Sequence, residues 1–246
     1  KDDLIGKIIP VNAFNLRRTP DIQMGDVTEE ERREWRRRPR LLAADVPAVA
    51  AALGPDIQWS TYSSTNLTVE ATYSKPRRTE GSAVSEQWFA IKKMAGSKGR
   101  LPSTQEYSLG TPVVVIGQDV ADHFFANLDP IGRALRIQGI PYTVIGVAEK
   151  QGSVFGISLD KFVVAPEKSP LNRWVNPHGV IDQMTIQAPS DVAMKEAMEA
   201  TRTVMRGRRH LHPSQPDNFA LETSDSALEF WNKLQSYLIV AGIALP

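Results

Sequence analysis

The order of polar and apolar positions divides the chain into alternating stretches of strand and helix. Val11-Asn-Ala-Phe-Asn-Leu16 alternates and predicts a strand. After an aperiodic stretch to about Gly25, Thr28-Glu-Glu-Glu-Arg-Arg-Glu-Trp-Arg-Arg-Arg38 predicts a helix. Thr28 with Glu31 is a capping box, Glu29–Arg33 and Glu34–Arg38 are i,i+4 pairs in the favourable order, and Pro39 ends the run. A second helix is expected over residues 46–53, with Asp45 as N-cap and Gly54 as stop. Residues 56–73, rich in Thr, Ser, Val and Tyr, predict one or two strands. Lys75-Pro-Arg-Arg-Thr-Glu-Gly81 reads as a turn, and residues 83–91 as a strand carrying Trp88 and Phe89.

The middle of the chain has the clearest pattern. Val113-Val-Val-Ile116 is a short apolar strand broken by Gly117. Residues 118–127 predict an amphipathic helix with Val120, Ala121, Phe124, Phe125 and Leu128 on one face. Asp129-Pro-Ile-Gly132 is a turn, and residues 133–148 read as a β-hairpin bent at Gly139-Ile-Pro141. Phe162-Val-Val-Ala165 is a further strand closed by Pro166. The last third predicts β-α-β: a strand at 182–187, a helix capped by Ser190 and stopped by Gly207, and a strand at 218–222. The helix's apolar positions are Ala193, Ala197 and Val204, with Met194, Met198 and Met205 alongside as core. The first and last parts look like halves of one α+β sandwich with the middle inserted between them.

Composition narrows the function. At 246 residues the chain can bury a substantial core as one large domain or two small ones. Its 29 Lys and Arg against 28 Asp and Glu give no global attraction to nucleic acid or an anionic bilayer, and the Glu/Arg-rich helix reads as a solvated element. With no cysteine there is no disulfide, thiolate nucleophile or thiolate zinc site. Lys1-Asp-Asp3 does not begin a signal peptide. Tyr237-Leu-Ile-Val-Ala-Gly-Ile-Ala-Leu-Pro246 is nearly all apolar but covers only half of the roughly 20 residues a membrane helix needs. It reads either as a buried terminal element or, as expected here, as the start of a membrane helix led by a helix at 225–235.

Candidate chemistry is sparse. No G-x-S-x-G elbow, Walker loop or glycine triplet is present; Gly117 stands alone after its strand. His210-Leu-His212, with His178 elsewhere, lacks carboxylate or cysteine partners at ligand spacing and reads as a basic helix end. No catalytic residue, metal or cofactor is expected.

The block from Gly110 to Val147 resembles a known family. Thr-Pro-Val-Val-Val-Ile-Gly-Gln-Asp-Val-Ala-Asp-His-Phe-Phe, then Asp129-Pro-Ile-Gly132, then Leu-Arg-Ile-Gln-Gly-Ile-Pro-Tyr-Thr-Val-Ile-Gly-Val147, is similar to the periplasmic core domain of MacB-like (FtsX/MacB superfamily) ABC-transporter permeases. There a strand and helix lead into a D-P-[IL]-G turn and a G-x-P-[FY]-x-V-x-G-V hairpin. The matched positions are Gly117, Asp129, Pro130, Gly132, Gly139, Pro141 and Gly146, read as residues of the fold and not of a ligand site. The likeness extends from about residue 41 to the end, and the helix at 28–38 looks like an added piece.

The resemblance implies a non-catalytic extracytoplasmic domain between two membrane helices. It implies an α+β fold: a porter-like sandwich from residues 1–84 and 182–236, a smaller sabre-like α/β subdomain inserted over 85–181, and a truncated membrane helix from 237. ATP would be hydrolysed on the cytoplasmic side by a fused domain or separate subunit. The partners implied are that ATPase, a second permease copy, and in some relatives a periplasmic adaptor and an outer-membrane channel, with no nucleic acid. Relatives export antibiotics, peptides or toxins, extract lipoproteins, or relay motion to envelope enzymes. The competing readings are a soluble extracytoplasmic binding or adaptor module, in which residues 237–246 pack into the domain's own core, and a hydrolase with an unrecognised site.

Overall fold

A computed structural model of the chain describes residues 9–20, 27–154 and 157–223. In chain order the elements are strand β1 (Ala13–Arg17), helix α1 (Glu29–Arg37), strand β2 (Leu41–Leu42), a 3-10 turn (Ala43–Asp45), helix α2 (Val46–Ala52), strands β3 (Gln58–Ala71) and β4 (Ser74–Val84) and helix α3 (Trp88–Ile91). Then come β5 (Gly96–Gly99), α4 (Thr104–Leu109), β6 (Val113–Ile116), α5 (Gln118–Phe125), β7 (Ala134–Ile137), β8 (Ile140–Ala148), β9 (Ser153–Val154) and β10 (Ile157–Ser158). The last are β11 (Phe162–Pro166), α6 (Asn172–Val175), β12 (Val180–Ile181), β13 (Gln183–Gln187), α7 (Asp191–Arg208) and β14 (Ala220–Thr223). The fold is α+β. Two compact units divide the chain, one from residues 1–59 and 182–246, the other from residues 60–181. Residue 84, where the sequence suggests a boundary, ends β4 inside the second unit. The segments 225–235 and 237–246 lie outside the described residues.

In the first unit β1 pairs antiparallel with both β13 and β14. Side chains alternate across a strand, so Phe14, Leu16, Met184 and Ile186 share one face and Asn15, Arg17, Gln183, Thr185 and Glu222 the other. Helix α7 packs against α2 and β1. Its buried stripe is Met194, Ala197, Thr201 and Met205, three and four residues apart. Two of the expected methionines are therefore core, while Ala193 and Val204 lie only half-buried at the edge of the stripe.

The second unit is built on a sheet whose pairings return to their start. β3 pairs with β4, β4 with β11, β11 with β6, β6 with β8 and β8 with β7. β7 then pairs back to β3 through Val69↔Ile137 and Glu70↔Arg136, while β5 pairs with the far end of β8. Both faces are buried. Val114, Ile116, Val144, Val163 and Ala165 pack with Val120, Ala121, Phe124 and Phe125 of α5. Val113, Val115, Ile145 and Val164 pack with Trp88, Phe89 and Tyr107. Burial on both sides explains why β6 and β11 read as unbroken apolar runs instead of alternating ones. The expected hairpin is β7–β8: Ile137 pairs with Ile140, leaving Gln138 (φ 51°) and Gly139 (φ 77°) as a two-residue loop. Two left-handed residues in that place twist the strands together.

Several expectations are corrected. Lys75–Gly81 is not a turn but part of β4; the chain turns at Thr72-Tyr73. β11 pairs only with residues 80–84, and no other described strand pairs with that edge of the rest of β4, where α5 meets Ser74 and Lys75 through Phe124 O and His123 Nε2, so charged side chains and Pro76 are compatible with a strand there. Residues 83–91 are not one strand: β4 stops at Val84 and Trp88–Ile91 is a helical turn. Asp45 stands at the N-cap position of α2 but makes no side-chain capping bond there; its carboxylate accepts from Leu42 N at 3.1 Å and closes the preceding 3-10 turn. Gly207 lies within α7, which runs to Arg208. Leu128 is 48% exposed. Pro141 stands in β8 opposite Arg136, one place beyond the bend. Glu29 pairs with Arg32 at 3.8 Å, not with Arg33.

Gly117, between β6 and α5, sets a sharp test. A Cβ built there would stand 2.1 Å from the Asp160 carbonyl oxygen, whereas one at Gly139 would meet nothing within 4 Å and only the positive φ would resist it. Gly117→Ala is expected to destabilise the second unit by about 3 kcal/mol and Gly139→Ala by about 1 kcal/mol. Chemical denaturation followed by tryptophan fluorescence measures both; equal losses would refute the assignment of close contact to Gly117.

Candidate functional site

The residues singled out from the sequence are spread along β8 and the elements beside it, and they bring no set of polar atoms to one point. Asp129 closes its own turn, its Oδ1 accepting from Ile131 N at 3.1 Å, and it pairs with Lys98 Nζ at 3.1 Å. The amide bond first, and the ammonium after it, hold the Asp129 carboxyl below its usual range. Pro130 accepts from Arg133 N, and Gly132 N donates to Val144 O at 2.7 Å. A Cβ at Gly146 would lie 2.4 Å from the Arg100 carbonyl oxygen. Each of these groups has a structural partner, and none is left facing a ligand.

A row of buried polar side chains lies elsewhere, on the β14-β1-β13 sheet. Asn15, Gln183, Thr185 and Glu222 are each at most 6% exposed. Thr185 Oγ1 donates to Asn15 Oδ1 and accepts from Gln183 Nε2, both at 2.8 Å. Arg17 Nη1 donates to Gln183 Oε1 at 2.7 Å, and Arg17 Nε stands 4.0 Å from Glu222. Sequence alternation points to this face but reads its polar residues as solvent-facing. A row of hydrogen-bonded amides and a hydroxyl fixes strand register; it holds no nucleophile–base pair.

Arginine clamps form the second cluster of the first unit. Arg202 and Arg206 both reach Asp217, at 3.0 and 2.7 Å. Arg208 Nε donates to Asp45 Oδ1 at 2.7 Å and Nη2 to Ala44 O at 3.1 Å. Arg209 donates to the carbonyls of Pro39 and Arg40, at 3.1 and 3.2 Å. Burial, with Arg18 and Arg38 nearby, lowers the Arg209 pKa despite Asp45. These bonds tie the end of α7 to the 39–45 segment. The run of basic residues was visible in the sequence, but its backbone acceptors carry no residue signature.

In the second unit a shallow cavity of about 400 Å³ is lined by Glu86, Phe89, Lys93, Met94, Leu101 and Tyr107, among others. Tyr107 Oη and Trp88 Nε1 are buried without a hydrogen-bond partner, and burial pushes the Tyr107 phenol upward. Helix α4 beside it begins with a capping box, Ser103 to Glu106, and Glu106 also receives a bidentate Arg100 at 2.7 Å. The Arg100 hydrogen bonds, chiefly, bring the Glu106 carboxyl down to about 2.

His210 and His212 flank the end of α7, where His212 N donates to Gln215 Oε1 at 2.6 Å and His212 O accepts from Arg206. His178 belongs to the other unit. Among the described residues no group of three or more His, Cys, Asp or Glu could hold a metal ion, and no helix is long and apolar enough to cross a membrane.

The model of the MacB-like periplasmic core domain matches residues 8–204. The macrolide export ATP-binding/permease protein MacB of Neisseria gonorrhoeae is 25% identical over 164 residues, 66% of this chain and 24% of that protein. The protein of the same name from Hahella chejuensis is 32% identical over 136 residues, 55% of this chain and 20% of that one. The chain thus spans about a quarter of the length of the curated relatives it matches. Among solved structures, the periplasmic region of MacB from Actinobacillus actinomycetemcomitans superposes with a TM-score of 0.70 at 18% identity, covering 94% of this chain and 98% of that one. The extracellular domain of the noncanonic ABC-type transporter YknZ from Gram-positive bacteria gives 0.65 at 14% identity, covering 86% and 100%. At these identities the superpositions speak for the fold.

Two measurements probe the clusters. Thr185→Val keeps the shape but leaves Asn15 Oδ1 and Gln183 Nε2 without their partner, so it should cost about 2 kcal/mol in denaturant unfolding; a neutral result would show the row to be dispensable. Glu106 is ionised more easily folded than unfolded, so its contribution is complete above its ordinary value of 4.5 and is lost as pH falls toward about 2. Glu106→Gln should therefore lower stability by about 1 kcal/mol near neutrality and have little effect at the acid end of that window. A loss independent of pH would refute the charge-based account.

Proposed function

We propose that this chain, which belongs to the family of MacB-like periplasmic core domains, serves its ABC-transporter permease as a non-catalytic coupling domain. Cytoplasmic ATP hydrolysis, in a fused domain or a separate subunit, moves it outside the membrane during export or extraction of a substrate. A second permease copy completes the transporter, and a periplasmic adaptor and outer-membrane channel are further partners. In this reading a membrane helix flanks the domain on each side. The unit made from the two ends of the chain is porter-like and the inserted unit sabre-like. Gly117, Asp129, Pro130, Gly132, Gly139, Pro141 and Gly146 keep the fold of the inserted unit.

The observation that carries the reading is strand register. β1 begins and β14 ends side by side, Phe14 opposite Thr223, and Arg17 pairs with Ala220 at the other end. The chain therefore enters and leaves this sheet at the same end, as a domain held by two neighbouring membrane helices requires.

Tyr73, 93% exposed at the β3–β4 turn, gives a direct test. The chain has no cysteine of its own. Tyr73→Cys in the full-length protein, with cysteines elsewhere replaced, should react with a membrane-impermeant maleimide in intact spheroplasts. Labelling only after lysis would overturn the extracytoplasmic reading.

A further inference from the structure

Helix α1 has no buried residue, yet both of its ends are fixed. At the start, Thr28 N donates to Glu31 Oε2 at 2.8 Å and Glu31 N to Thr28 Oγ1 at 3.2 Å. At the end, Arg18 donates to the carbonyls of Arg36 and Arg38, at 2.7 and 2.8 Å, and Arg209 grips the next two carbonyls, of Pro39 and Arg40. Trp35 is its one apolar side chain and is half-buried; with no buried residue the helix gains little from a core and is held chiefly through its backbone.

Three of its four carboxylates are already engaged. Glu29 pairs with Arg32, Glu31 closes the capping box, and Glu34 meets Arg38 at 3.0 Å. Arg33, Arg36 and Arg37 are exposed, share one face by three- and four-residue spacing, and have no carboxylate partner among the described residues. Arg40, also exposed, follows directly.

We infer that the Arg33, Arg36 and Arg37 face of α1, with exposed Arg40 just beyond the helix, is a docking surface for an acidic segment of a partner protein. Guanidinium groups bind carboxylates in pairs of parallel hydrogen bonds, and here the helix is ordered before contact, so binding does not have to immobilise the backbone. A bilayer is the poorer fit. The helix has no apolar stripe to bury in lipid, and Arg18, which anchors its last turn, follows the end of β1 opposite to where the chain enters and leaves the sheet. The choice of protein over bilayer rests on the extracytoplasmic reading above.

The test is fluorescence anisotropy with the 246-residue chain and a labelled oligoglutamate peptide at low salt, with phosphatidylglycerol vesicles in parallel. Two triple variants change charge equally: R33E/R36E/R37E on α1, and K75E/R77E/R78E on exposed positions of β4. The peptide should bind the native chain, lose ~10-fold in affinity with the α1 variant and change less than ~2-fold with the β4 variant. Equal loss in both variants, no peptide binding, or tighter binding to the vesicles with the same dependence on α1 would each overturn the inference. Thermal unfolding of both variants confirms that each remains folded. The peptide affinity is read on the isolated chain, so failure of the maleimide labelling would sink the extracytoplasmic reading without being mistaken for failure of the docking surface.

Discussion

The first unit exists only because β1, five residues long, finds partners near the opposite end of the sequence: Asn15 lies opposite Thr185 and Glu222. Closing so long a loop costs configurational entropy, and that cost grows slowly with length, so a large insertion is tolerated once the pairing is specific. The hydrogen-bonded row of Arg17, Asn15, Gln183 and Thr185 supplies the specificity. Slipping β1 by one residue would turn Phe14 and Leu16 onto the polar face and leave buried amides unpaired. A polar row in a sheet interior sacrifices some burial energy and makes the wrong registers worse.

The inserted unit meets the opposite problem. Its sheet is covered on both faces, so nothing about β6, β8 or β11 needs a polar side, and space becomes the constraint. Gly117 and Gly146 stand where backbone carbonyls of Asp160 and Arg100 come too close for any side chain. The Asp160 carboxylate, 1% exposed, accepts the amides of Gln151 and Gly152 and so fixes the loop whose carbonyl presses on Gly117. Loop, glycine and helix start thus depend on one another.

Legibility in the sequence followed the range of the interactions. The β7–β8 hairpin, the capping box at Thr28 and the strand–glycine–helix at 113–125 were readable because their determinants lie within a few residues of each other. The strand at Lys75–Gly81 was not. Its charges and Pro76 mark a turn in most settings, and the lack of a second described partner strand along half of β4 makes them acceptable in a strand. Asp45 shows the same limit: it sits at the N-cap position, but its carboxylate bonds Leu42 N and an arginine 163 positions away instead of the helix. The clusters of the first unit were least visible, since guanidinium-to-carbonyl bonds can form to any residue type.

In the proposed permease, where a membrane helix tethers the domain at each side, the side-by-side exit of β1 and β14 would also decide how this sheet responds to mechanical load. Hydrogen bonds of an antiparallel ladder lie across the strands. If the two tethers shift together, the Phe14↔Thr223 pair feels no shear and the sheet travels as a rigid body. If the tethers are drawn apart, the load falls on that single pair and then on the next, opening the ladder like a zipper from Phe14 toward Arg17. On that reading the β1–β14 ladder would be stiff to concerted displacement of its two ends and weak to their separation.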